Sequence, residues 1–387
     1  MNRPTDLPGQ SMRDAEPAIY LDYNATAPVR PEAAAAVAAA MVATGNPSSV
    51  HRFGRDARQR IEEARGRVAS LIGAAPADIV FTSGGSEANA LALMGAGRAR
   101  VLVSAIEHDS VLATAPAIGV GGAERIPVDA NGVVRLDALE RLLKADARPA
   151  LVSIQLANNE TGVLQPIPQA AAMAHVHGAL IHSDAVQAAG KIAVDFAGLG
   201  VDFLSLSAHK IGGPQGVGAL AVRSGLGLTP QHLGGGQERG RRAGTENGPG
   251  IAGFGVAADS AAAGLAEFAR LALLRDRLEA ELIARGARTF SSAVPRLANT
   301  SSIAMPGVLA ETQIMALDLA GIAVSAGAAC SSGKVRPSHV LRAMGASEAE
   351  ASSAIRVSLG WDTMLRDIER LIEAWSALRA RTQSRAA

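Results

Sequence analysis

Five polar clusters each follow a short apolar run: Thr82-Ser83-Gly84-Gly85-Ser86-Glu87, Glu107-His108, Asn158-Asn159-Glu160-Thr161-Gly162, Asp184-Ala185-Val186-Gln187 and Ser207-Ala208-His209-Lys210. The first leads into a helical pattern. A helix start built from small residues offers unpaired N–H groups to an anion such as a phosphate, and a plain Ser/Thr cap has the same local pattern. It lacks the Lys of a nucleotide-triphosphate loop. The lysines are more telling. There are four, Lys144, Lys191, Lys210 and Lys334, so all but four of the 37 basic residues are Arg. Arg cannot form a Schiff base, whereas a Lys at a strand end can. Lys144 and Lys191 stand in amphipathic or loop contexts and read as solvated charges. Lys210 follows an apolar strand, with Ser207 and His209 before it and Gly212-Gly213-Pro214 after it. A carbonyl cofactor with a phosphate tail would link these clusters. Pyridoxal phosphate is such a group: it needs a Lys as aldehyde anchor and an acid for its ring nitrogen. Asp184 is the natural acid; without the cofactor it would be a strand-end cap. The chain has one cysteine, Cys330, which excludes intramolecular disulfides and cysteine metal clusters, and no metal site is expected. By count alone Cys330 also suits a small buried hydrophobe.

The elements that must position these residues show as an alternation of patterns. Residues 79–81, 101–104, 151–156, 180–182, 203–205 and 218–222 are near-continuously apolar, as strands covered on both faces are. Helical stretches over 56–71, 87–95 and 167–177 lie between several of them. This β-α-β order predicts an α/β fold with a doubly wound, mostly parallel sheet, whose ligands bind beyond the carboxyl ends of the strands. Five polar clusters at five such ends point to one site. The glycine-rich stretch 248–253 matches a dinucleotide fingerprint, but it follows a Gly/Arg-rich loop rather than a strand and is set aside. From about residue 251 the pattern changes to long Ala/Leu/Arg/Glu helices, a strand near 300–305 and a closing helix from 363. The expected organisation is a disordered leader over 1–18, a large domain over 19–260 and a smaller α+β domain over 261–387 that carries Cys330. A formal net charge of +1 argues against nucleic-acid or membrane-surface binding. No apolar run reaches the roughly 20 residues of a membrane span, and residues 1–17 have no apolar signal core, so a cytoplasmic protein is expected.

Segments 20–26 (Tyr-Leu-Asp-Tyr-Asn-Ala-Thr), 45–49 (Gly-Asn-Pro-Ser-Ser), 81–87, 157–162, 182–187, 207–214, 242–245, 325–332 and 355–360 together resemble the cysteine desulfurase family. The likeness runs in order from about residue 19 to 375. The family is class V aminotransferase-like and depends on pyridoxal phosphate. The resemblance implies a fold-type-I enzyme: a large domain whose mostly parallel sheet is flanked by helices, plus a smaller α+β domain. It implies that Lys210 holds the cofactor, Asp184 pairs with the ring nitrogen, and His108 stacks on the ring and moves protons. Asn159 and Gln187 would contact the ring's oxygen side, Asn159 touching substrate too. Gly85, Ser86, Ser207 and His209 would hold the phosphate, with Thr245 reaching in from the second subunit of a homodimer. Arg356 would clamp the substrate carboxylate, and Cys330 would carry sulfur as a persulfide. Lys334 and Arg336 would favour the Cys330 thiolate, or be solvated loop charges. The implied reaction converts L-cysteine to L-alanine and passes sulfur to an acceptor or scaffold protein, as in iron–sulfur cluster or other sulfur-cofactor assembly. Selenocysteine lyase, cysteine sulfinate desulfinase and plain aminotransferase are alternatives on the same fold; the last has no need of Cys330. Two departures stand out: Ala90 where relatives commonly carry Asn, and Trp361-Asp362 in place of a basic residue after Ser358-Leu359-Gly360.

Overall fold

A computed structural model describes residues 17–118, 122–329 and 335–386. Its centre is a seven-stranded sheet. In spatial order the strands are Ile79–Thr82, Gly218–Val222, Phe203–Ser207, Leu180–Asp184, Ala150–Ser153, Arg100–Ser104 and Ala123–Ile126. Only Gly218–Val222 runs against the rest. The six aligned strands therefore end on one edge, and the expected polar clusters leave from five of those ends. The central strands are apolar on both sides because both faces are covered. Helix Gly85–Gly95 packs Leu91 and Leu93 against Val80, Phe203 and Leu220 on one face. Helices Pro31–Met41, Arg52–Leu71 and Gly248–Ala263 pack together on the other side. There Gly255 lets two helices touch: a Cβ on it would lie 2.7 Å from Ala64 Cα. The edge strand Ala123–Ile126 escapes the apolar pattern. It carries Glu124 and Arg125 and is covered less, so it has no continuous apolar run.

A second core gathers around a four-stranded antiparallel sheet, ordered Ser325–Ala326, Ala354–Ser358, Thr300–Ala304 and Arg288–Thr289. Helices Leu271–Ala284, Ala310–Leu319 and Leu365–Ala386 close over it, burying Leu278, Leu282, Ile303, Leu317, Ile355, Leu371 and Trp375. Ile19 and Leu21 belong to this core as well, because strand Ile19–Tyr20 pairs with Ile322–Ala323. Residues 19–21 thus belong to the second body although they precede the first in sequence, and residues 22–25 pass between the two. Among the described residues no single helix is long and apolar enough to cross a membrane, and the joined stretch Gly248–Ala263 with Leu265–Ala284 is bent by 62°.

Candidate active site

The strand ends, residues 22–25 and the near side of the second sheet enclose a cavity of about 410 Å³. Gly85, Ser86, His108, Asn159, Asp184, Gln187, Ser207, His209, Lys210 and Arg356 all line it. Thr245 is exposed and does not. Cys330 and Lys334 lie outside the described residues.

One end of the cavity is built for an anion. Strand Ile79–Thr82 turns through Ser83 and Gly84 into helix Gly85–Gly95, and Gly84 at the cap position offers no side chain to the first N–H groups. Backbones crowd here: a Cβ on Gly218 would lie 2.5 Å from the Gly84 carbonyl carbon. The Ser207 hydroxyl is buried and without a hydrogen-bond partner. An open helix start beside an orphaned hydroxyl calls for an acceptor from outside the protein.

One turn further along the same helix, at Asn89, the cavity meets Asp184, which ends strand Leu180–Asp184. Its Oδ1 accepts from Val186 N at 2.9 Å and its Oδ2 from Asn89 Nδ2 at 2.7 Å. Each oxygen keeps a lone pair for a donor in the cavity. Asn89 also donates to Ser110 Oγ at 2.9 Å, and Ser110 lies 2.8 Å from Nδ1 of the exposed His108. One carboxamide therefore ties the acid to the histidine's support. The sequence reading missed Asn89. Its signal was its spacing, four residues past Gly85 and so on the same helix face.

Lys210 follows strand Phe203–Ser207 in the short turn Ala208–Lys210. Its Nζ donates to the carbonyls of Asn24 at 2.5 Å and Ala25 at 2.7 Å. Burial, and then the Arg356 charge, lower its pKa to about 8 against the pull of Asp22 and Asp184. An amine with that midpoint is a usable nucleophile and base near neutral pH. Beside it, burial and the Lys210 charge lower His209 to about 4, so its ring is neutral. Arg356 reaches in from strand Ala354–Ser358. It donates to Asp22 Oδ1 at 2.7 Å and to the Asn159 carbonyl at 3.2 Å, and its Nε is buried without a partner.

Lys191 is not the solvated charge its context suggests. It is buried, and its Nζ donates to Gln187 Oε1 at 2.7 Å and Asn24 Oδ1 at 2.8 Å. The chain turns inward at Gly190, whose φ of +72° is left-handed, and this carries the side chain under the site. Lys144 does face solvent, beside Glu140. On the second-sheet side, Glu160 Oε2 accepts from Ser338 Oγ at 2.5 Å, and Gly327 lies so close that a Cβ there would overlap the same carboxylate. Both feet of the hairpin formed by Ala328–Ala329 and Val335–Arg336 thus rest on one buried glutamate.

The supporting strand carries its own pH signature. His182 is fully buried, with Ser153 Oγ at 2.9 Å from Nδ1 and Ser205 Oγ at 2.9 Å from Nε2. One hydroxyl donates and the other accepts, which satisfies a neutral ring. Burial holds its pKa down to about 4, although Asp184 raises it. The unfolded chain, with an ordinary histidine near 6.5, therefore binds one more proton between pH 6.5 and 4. Stability should fall as pH drops through that window, by roughly 3 kcal/mol from this residue. Urea titrations should show His182→Gln losing less on acidification than the wild type; an unchanged pH dependence would contradict the assignment.

The family described as aminotransferase class-V matches residues 19–371. A cysteine desulfurase from Cereibacter sphaeroides is 46% identical over 368 residues, covering 92% of this chain and 94% of that one. The chain belongs to the cysteine desulfurase family of the class-V aminotransferases. A NifS-like protein from Rickettsia africae superposes with a TM-score of 0.87 at 38% identity, covering 94% of this chain and 99% of its own. A further structure, SspA in complex with cysteine, matches with a TM-score of 0.75 at 32% identity, covering 88% and 98%. Cysteine desulfurases are pyridoxal-phosphate enzymes of fold type I, and the mixed sheet flanked by helices is that fold.

Proposed function

We infer that this desulfurase acts on free L-cysteine, releases L-alanine and takes the sulfur onto Cys330, with pyridoxal phosphate held in the cavity. One observation carries the reading: the Lys210 amine stands in a single cavity with an open anion cradle and a carboxylate that has lone pairs to offer. The residues present fit the cofactor. The helix start at Gly85 and Ser86, the unpartnered Ser207 hydroxyl and His209 suit its phosphate. Asp184 suits the ring nitrogen, and His108 suits the ring face. Asn159 and Gln187 suit its oxygen side. When bound, the cofactor supplies an electron sink for the substrate's α-carbon.

The chain's own groups do the rest. Lys210 anchors the cofactor through Nζ and, once released, moves the α-proton. Arg356 offers the substrate carboxylate a planar fork of donors, exchanging its contact with Asp22 for the substrate. The Cys330 thiolate attacks the substrate sulfur. An S–S bond forms, the substrate C–S bond breaks, and its electron pair leaves with the carbon that becomes alanine's methyl group. The persulfide then passes its outer sulfur to an acceptor or scaffold protein. We assign the working form as a homodimer, with Thr245 completing the partner's phosphate site. Met41, Val42, Val50 and Phe53 support this, since all four are exposed within one short stretch of chain. A free thiol suits the reducing cytoplasm.

Alanine and sulfide should appear in equal amounts when the enzyme turns over L-cysteine with a thiol reductant. Alanine formed from selenocysteine or cysteine sulfinate but not from cysteine would reject the substrate assignment.

A further inference from the structure

Lys191 has no part in the steps above, yet it is sealed from solvent beside the site, and its hydrogen-bond partners are neutral. A buried amine among neutral acceptors costs stability. What it does to those acceptors is specific. Gln187 Oε1 and Asn24 Oδ1 both accept from its Nζ, which fixes the other end of the Gln187 carboxamide; Asn24 Oδ1 accepts from Asn299 Nδ2 at 3.1 Å as well, so Lys191 shares that end with Asn299. Gln187 Nε2 donates to the Asn24 carbonyl at 2.9 Å; turned over, the amide would set oxygen against oxygen. Asn24 Nδ2 donates to the Asn159 carbonyl at 3.2 Å and to Thr300 Oγ1 at 2.9 Å, and that hydroxyl already donates to Asn299. The Asn24 carbonyl held in this way is the one that receives the Lys210 amine. Gln187 lines the cavity, and with one N–H given to Asn24 its remaining N–H is the group available there.

We propose that Lys191 is a positioning residue: it locks Gln187 so that a donor faces the ring-oxygen side of the cofactor, and through Gln187 Nε2 it steadies the Asn24 carbonyl that seats Lys210. The proposal rests on the cofactor reading given above. It does not require a charge, because a neutral amine keeps two N–H bonds, one for each oxygen. Burial, with the nearby charges of Lys210 and Arg356, holds the Lys191 pKa well below that of an ordinary lysine. The acids close by serve other groups: Asp22 pairs with Arg356, and Asp22 and Asp184 act on Lys210.

The test is a double-mutant cycle on the resting holoenzyme, read as the pH midpoint of its visible absorption band. A hydrogen bond to an anionic ring oxygen lowers the proton affinity of the cofactor system, so losing it raises the midpoint, by about one unit for Gln187→Leu. Lys191→Met keeps the length of the side chain and removes its N–H bonds. It should raise the midpoint in the same direction, and the double variant should rise no further than Gln187→Leu alone. Lys191→Gln, too short to reach both oxygens, should shift it the same way and serves if the Met variant does not fold. Fully additive shifts, or a midpoint unmoved by either Lys191 change, would overturn the proposal. Borohydride fixation of the cofactor at a lysine other than Lys210 would instead overturn the reading beneath it.

Discussion

Lys210→Ala should abolish turnover, a loss of more than about a thousandfold, because the cofactor anchor and the base for the α-proton disappear together. No other described lysine can replace it. Lys191 is held by Gln187 and Asn24, and Lys144 lies on the exposed face of helix Leu136–Ala145. Borohydride treatment of the wild type followed by peptide mapping should place the reduced pyridoxyl group on Lys210. The same amine predicts a stability effect of definite sign. Its folded pKa of about 8 lies below the ordinary 10.5, so the unfolded chain binds more protons between those values. The penalty on the folded apoprotein is complete below pH 8 and fades as pH rises through 10.5. Apoprotein stability should therefore rise across that window, and Lys210→Ala should flatten the rise.

Cys330→Ser should separate cofactor binding from sulfur chemistry. The described cavity wall does not include residue 330, and Lys210, Asp184 and Arg356 remain in place. The variant should load cofactor and change its spectrum on adding cysteine. Sulfur transfer should nevertheless fall by more than about a thousandfold, since a neutral hydroxyl is a far weaker nucleophile than a thiolate. Cysteine-dependent alanine formation at the wild-type rate would reject the persulfide route and favour selenocysteine or sulfinate chemistry.

Much of this was legible in the chain because one topology does two jobs. Strands buried on both faces read as apolar runs, and parallel strands deliver their following loops to one edge. Polar clusters after 81, 106, 157, 183 and 206 were thus bound to meet. The edge strand Ala123–Ile126 was not legible, because an edge is covered less and carries charge. Lys191 was misread because local context does not reveal a turn like the one at Gly190. Asn24 was passed over as a functional residue for another reason. Its partners Asn159, Lys191, Lys210, Asn299, Thr300 and Ser358 are between 135 and 334 residues away in sequence. A hub of that kind exists only once residues 22–25 lie between the two bodies, and no spacing rule reaches so far.

The central claim is that sulfur from cysteine arrives on Cys330. Mass measurement of the wild-type enzyme after exposure to L-cysteine, with no acceptor and no reductant, tests it most directly. Because the chain has a single cysteine, no other residue can carry a persulfide. The enzyme should gain the mass of one sulfur atom on the peptide containing Cys330, with one alanine released per subunit. Alanine produced while that peptide stays at its unmodified mass would contradict the account.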